Sequence, residues 1–80
     1  MSHQGNYIRK KREDLGITQI ELAKYLGFTN VFLGRVELGK CWLPKKYVNK
    51  LAQKLDVESD NIIVKMRKDA SERFNESLGL

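Results

Sequence analysis

Eighty residues, 41% of them hydrophobic and 31% charged, are enough for one compact domain with a small core, and for no more than one. No apolar run approaches the roughly 18–20 residues that cross a bilayer. The opening Met1-Ser2-His3-Gln4-Gly5-Asn6 has no apolar stretch of the secretory kind, so the expected compartment is the cytoplasm. The lone cysteine, Cys41, fits that reducing setting and reads as a loop thiol. It has no disulfide partner, and with the single histidine His3, expected in a disordered terminus, it builds no zinc site. The net charge of +5 is unevenly spread: residues 1–54 carry eleven Lys/Arg against four Asp/Glu, residues 55–80 four against six. A basic body beside a mildly acidic C-terminal stretch suits a body that meets a polyanion.

The glycines fall mostly between periodic segments and read as helix punctuation, which predicts an all-α bundle of about five short helices. The first is expected over Tyr7–Leu15, capped by Asn6 and stopped by Gly16, with Tyr7, Ile8 and Leu15 as its apolar face and Arg12 on the inner side. The second follows Thr18. Thr18-Gln19-Ile20-Glu21 is a capping box, and Ile20, Leu22, Ala23 and Leu26 give the helical period up to Gly27. The third follows Thr29, another capping residue, with Leu33 and Val36 inward and Gly39 as its stop. The fourth starts near Pro44 and carries Val48, Leu51, Ala52 and Leu55 on one stripe. The last follows Asp56-Val57-Glu58 with Ser59 or Asp60 as its cap, and Ile62, Ile63, Met66, Ala70, Phe74 and Leu78 recur along it. The whole reads as a single domain over 1–80, with its core in 5–58 and a C-terminal helix and tail over 59–80.

Residues 19–38 are the informative stretch. Two helices that cross closely need a small residue at the crossing, here Ala23, and a turn residue that tolerates positive φ, here Gly27. They also need apolar side chains facing the core, here Leu22, Leu26, Phe28, Leu33 and Val36. With these residues, Ile17-Thr18-Gln19-Ile20-Glu21-Leu22-Ala23-Lys24-Tyr25-Leu26-Gly27 resembles the "LTQEELAxxLG" signature of the lambda-repressor-like helix-turn-helix family, the phage repressor and Cro type. Val36-Glu37-Leu38-Gly39-Lys40 resembles the "xExGK" that follows it, and Leu51-Ala52-Gln53-Lys54-Leu55-Asp56-Val57 is similar to the family's "LAxxLxV". The resemblance covers roughly residues 5–58.

The resemblance implies a small transcriptional regulator, in the first instance a repressor that binds a palindromic operator in double-stranded DNA as a homodimer, with its third helix in the major groove. It places Thr29, Asn30, Val31 and Arg35 at base edges: Arg35 offers two donors to a guanine and Asn30 matches an adenine edge. It places Gln19 on a phosphate at the start of the second helix, with Lys40, Lys45, Lys46, Arg9 and Lys10 as further phosphate contacts. It pairs Arg12 with Glu37 in a largely buried ion pair between the first and third helices. The expected dimer residues are Trp42, Leu43, Ile63, Met66, Phe74 and Leu78, with closure of the monomer's own core as the other use of the same side chains.

The chain departs from the family at Lys11, where an apolar residue is usual, and on the outward face of the third helix, at Val31, Phe32 and Gly34. Phe32, expected to be exposed, has three readings: contact with thymine methyls, packing on the following loop, or a protein interface. Gly34 either admits a close backbone approach or weakens the helix. The face formed by Val31, Phe32 and Leu38 motivates an alternative function, a protein-interaction module on the same fold such as an antirepressor, antitoxin or adaptor. The sequence has no Ser-His-Asp or Cys-His set, no phosphate-cradling glycine loop and no metal-ligand cluster, so no enzyme, cofactor, membrane or small-molecule substrate is expected.

Overall fold

The computed structural model describes the backbone of residues 3–77 and the side chains of residues 3–71. Within them the chain runs through α1 (His3–Asp14), α2 (Gln19–Leu26), α3 (Asn30–Glu37), a 3-10 turn η1 (Lys45–Tyr47), α4 (Val48–Leu55) and α5 (Ser59–Ser77). One apolar cluster collects Ile8 of α1, Leu22 and Leu26 of α2, Leu33 and Val36 of α3, Leu43 of the loop, Val48, Leu51 and Leu55 of α4, and Ile62 of α5. No helix among the described residues is long and apolar enough to cross a membrane.

Local chemistry sets most of the boundaries. The Thr18 hydroxyl accepts from the backbone N–H of Glu21 at 3.1 Å and donates to the Glu21 carboxylate at 3.1 Å, so Glu21 holds the capping hydroxyl and not the Thr18 amide. The Thr29 hydroxyl accepts from the N–H of Phe32 at 3.1 Å and starts α3 in the same way. Pro44 stands just before η1, whose single turn runs directly into α4. At the end of α4 the left-handed residue is Asp56, with φ 55°, a conformation in which a short polar side chain is tolerated far better than a branched one.

The first helix corrects the sequence reading. It begins at His3, so His3 is ordered and half-buried, and Asn6 is an exposed residue of the helix interior and not its cap. The cap comes from the far end of the chain. The buried carboxylate of Asp69, on α5, accepts from the backbone N–H of His3 at 2.7 Å and of Gln4 at 3.0 Å. Leu15 and Ile20, expected on apolar faces, are 48% and 65% exposed. Helical spacing alone does not reveal that the core has no room for them.

Two further contacts join α1 to α3. Gly5 lies inside α1, where it is not punctuation. A β-carbon there would overlap the carbonyl oxygen of Glu37 and sit 2.6 Å from that of Val36, so the two backbones touch at this point. Two turns further on, Arg12 Nε donates to Glu37 Oε2 at 2.8 Å and Nη2 to Oε1 at 3.0 Å, a bidentate pair whose side chains are 11% and 3% exposed. Nη1 donates to the carbonyl of Ile17 at 3.0 Å. The hydrogen bond to Glu37 raises the Arg12 pKa above its ordinary value against the opposing effect of burial. A raised folded-state pKa contributes stability below the unfolded value and loses it only as pH rises through the folded one. The arginine side of this pair is therefore undiminished at neutral pH.

Three substitutions test these joints by urea denaturation. Glu37→Ala leaves Arg12 buried without its partner and is expected to cost about 3–5 kcal/mol. Gly5→Ala, a change that gains about 1 kcal/mol in an open helix, is expected here to cost about 1–3 kcal/mol because of the overlap. Asp69→Ala is expected to cost about 1–2 kcal/mol and to remove hydrogen-exchange protection from the first turn of α1.

Candidate nucleic-acid interface

The α2–α3 pair is built around a left-handed turn at Gly27, with φ 89°, whose N–H closes α2 on the carbonyls of Ala23 and Lys24. Ala23, the small residue expected at the crossing, is 1% exposed. Leu33, Val36 and Glu37 fill the inner side of α3. Asn30, Val31 and Arg35 are exposed, and at 100° per residue Val31 and Arg35 stand opposite that inner side. Val31 is 62% exposed. Thr29, also exposed, spends its acceptor on the cap and keeps its hydroxyl proton for another partner.

Phe32 is not the exposed aromatic that the sequence suggests. Its ring meets Phe28 edge-on, with centroids 5.0 Å apart, and Phe28 meets Tyr47 edge-on at 5.1 Å. These three rings join α3, the turn before it and the entry to α4. Gly34 is also accounted for. The Gln19 side chain lies over it, with Nε2 3.4 Å from where a β-carbon would stand, and Nε2 donates to Glu37 Oε1 at 3.3 Å. Gln19 thus extends the Arg12–Glu37 pair into a chain of three side chains from α1, α3 and α2.

The basic residues fall in different surroundings. Lys40 is exposed just past α3, and Lys45 and Lys46 are exposed on η1, with Lys46 Nζ 5.1 Å from the Tyr47 ring centre. Lys10 is exposed on α1, while Arg9 approaches Glu13 at 3.9 Å and is partly neutralised by it. Lys11, half-buried, has its ammonium 6.0 Å from the Tyr7 ring centre, which gives a charged residue a place at that position. The sequence reading overlooked Lys50 and Lys54, which both approach the Tyr25 ring at 5.0 Å. Their spacing from Lys46, four and eight residues, was the available signal.

Among the residues expected at a dimer contact, Leu43 is 1% exposed and belongs to the monomer core. Trp42, Ile63 and Met66 line an open cleft of about 550 Å³ between α4 and α5, with Lys45, Val48 and Arg67 around it. Nothing is described of the Phe74 side chain, and Leu78 lies outside the described residues. No group of three His, Cys, Asp or Glu suited to a metal ion occurs among the described residues.

The family model described as helix-turn-helix matches residues 8–62. No curated protein sequence matches the chain significantly. Among solved structures, the clp gene regulator ClgR from Corynebacterium glutamicum is similar with a TM-score of 0.73 at 20% identity, over 98% of this chain and 84% of that one. The restriction-modification controller protein C.AhdI from Aeromonas hydrophila is similar with a TM-score of 0.67 at 30% identity, over 74% of this chain and 86% of that one. The SinR protein/SinI protein complex contains a chain similar with a TM-score of 0.65 at 22% identity, over 94% of this chain and 90% of that one. The matched family model spans most of the chain, and the chain belongs to the lambda-repressor-like helix-turn-helix family of DNA-binding transcription regulators.

Proposed function

We propose that the protein is a sequence-specific regulator of transcription that reads double-stranded DNA by laying α3 in the major groove. The observation that carries this reading is the outward face of α3. Asn30, Val31 and Arg35 stand free on a helix whose front is capped by Thr29 and whose rear is anchored by Glu37 on Arg12. In this reading Arg35 donates to guanine O6 and N7, Asn30 pairs with an adenine edge, and Val31 packs on a thymine methyl, with Thr29 at a neighbouring edge. Gln19, Lys40, Lys45 and Lys46 meet phosphates, with Lys10 and Arg9 adding to them from α1. No catalytic step, cofactor or small-molecule substrate enters this function, and its place is the cytoplasm.

A single domain of this size reads few base pairs. Action as a homodimer, most simply a repressor on a palindrome with half-sites about 34 Å apart, supplies the missing specificity. The Trp42–Ile63–Met66 cleft is the apolar surface that a second copy would cover. The names of two similar proteins, a gene regulator and a controller protein, support the regulatory reading. The alternative, a module whose α3 meets protein, relied on an apolar face that included Phe32, and that ring is engaged with Phe28.

Selection of bound duplexes from a random pool tests the function. A palindromic consensus is expected, bound with an affinity that falls steeply with salt. Arg35→Ala is expected to cost about 1–3 kcal/mol on the consensus and to relax preference at one position in each half-site. Recovery of no consensus, with equally weak binding of all duplexes at low salt, would sink the proposal.

A further inference from the structure

The basic surface does not stop at η1. Tyr47 and Val48 both have right-handed helical backbones, with φ −92° and −59°, so η1 leads into α4 without a change of direction. Lys50 and Lys54, four residues apart in α4, therefore stand one above the other on a single face, about 6 Å apart along the axis, and Lys46 precedes them by one turn on η1. All three are exposed. Aromatic rings order their heads. Lys46 Nζ is 5.1 Å from the Tyr47 centroid, and Lys50 Nζ and Lys54 Nζ are each 5.0 Å from the centroid of Tyr25, in the last turn of α2.

Two like charges thus share one ring, and no carboxylate among the described residues pairs with any of the three lysines. A helix face that served only solubility would gain from interspersed acids; α4 itself holds none, and Glu58, four residues after Lys54, lies beyond the left-handed end of the helix at Asp56. The stripe also has a defined origin. Tyr47 touches Phe28, and Phe28 touches Phe32, so its Lys46 end lies beside the turn from which α3 begins. Its other end reaches Tyr25, in the last turn of α2.

We propose that Lys46, Lys50 and Lys54 form a track for the phosphate backbone of the duplex that flanks the segment read by α3. This inference rests on the DNA-binding reading above and extends the footprint along α4 to two residues, Lys50 and Lys54, outside the reading face. Tyr25 is a positioning residue in this arrangement. Its ring holds two long side chains near one geometry before the phosphates arrive, which reduces the entropy lost on binding. The contact carries no sequence information and adds an electrostatic component that grows with flanking length.

The test uses the full chain and two duplexes, one holding the selected site with long flanks and one trimmed to the half-sites, titrated over a salt series. On the long duplex, Lys50→Gln/Lys54→Gln is expected to flatten the slope of log K against log salt by about 1.8, so the affinity loss between about 50 and 200 mM salt becomes roughly tenfold smaller. Lys50→Arg/Lys54→Arg is expected to keep the wild-type slope, and both variants to keep the melting temperature and the ranking of sequences. On the trimmed duplex, wild type and the glutamine variant are expected to coincide. An unchanged slope on the long duplex overturns the track, and an equal change on both duplexes overturns its flanking placement. Failure of the wild type itself to bind any duplex defeats the DNA-binding reading, and this inference with it.

Discussion

A buried carboxylate at the wrong end of a helix is the constraint on which the rest of the structure depends. Glu37 closes α3, where the helix dipole already concentrates negative charge, and only 3% of its side chain reaches solvent. Such a group is tolerable only with a full complement of donors. Arg12 supplies two and Gln19 a third, so satisfying one carboxylate fixes α1, α2 and α3 relative to each other. The guanidinium's remaining contact, with the carbonyl of Ile17, adds the loop between α1 and α2. The third helix is held from behind by this network, and its outward side chains are free of structural duty.

The front of α3 is held by different physics. Phe28, Phe32 and Tyr47 meet edge to edge, which ties the turn and the first part of α3 to the start of α4. A polar clamp at the rear and an aromatic one at the front leave the helix little freedom to rotate about its axis. Base recognition by bidentate hydrogen bonds demands that kind of rigidity. The departures at Phe32 and Gly34 lie at these clamps: the ring forms part of one, and the Gln19 side chain of the other packs over Gly34.

What was legible in the sequence was what is decided within a few residues. Thr18 and Thr29 cap their own helices, Gly27 supplies the left-handed turn, and the apolar rows of α2 and α4 follow the helical period. The resemblance added Arg12 and Glu37, a pair that no local pattern links. The rest depended on partners far along the chain. Gly5 is required by the carbonyls of Val36 and Glu37, and the first turn of α1 by Asp69. Apolar periodicity placed Leu15 and Ile20 inside because it measures which face a residue shares, not how wide a strip of that face the core covers. Phe32 was misplaced for the converse reason, since the rings that receive it come from the turn and from η1.

The cap of α1 has a consequence for the order in which the molecule becomes complete. His3 and Gln4 leave the ribosome before the rest of the described fold, yet the carboxylate that accepts from their amides is encoded 66 and 65 positions later. A nascent chain that has already assembled α2, α3 and α4 still carries an open first turn, with two amides bound to water. Only when α5 has emerged and docked does that turn close. Of the described helices, the first to be made is completed by the last, and arrival of Asp69 marks the moment at which both ends of the described fold become committed to one another.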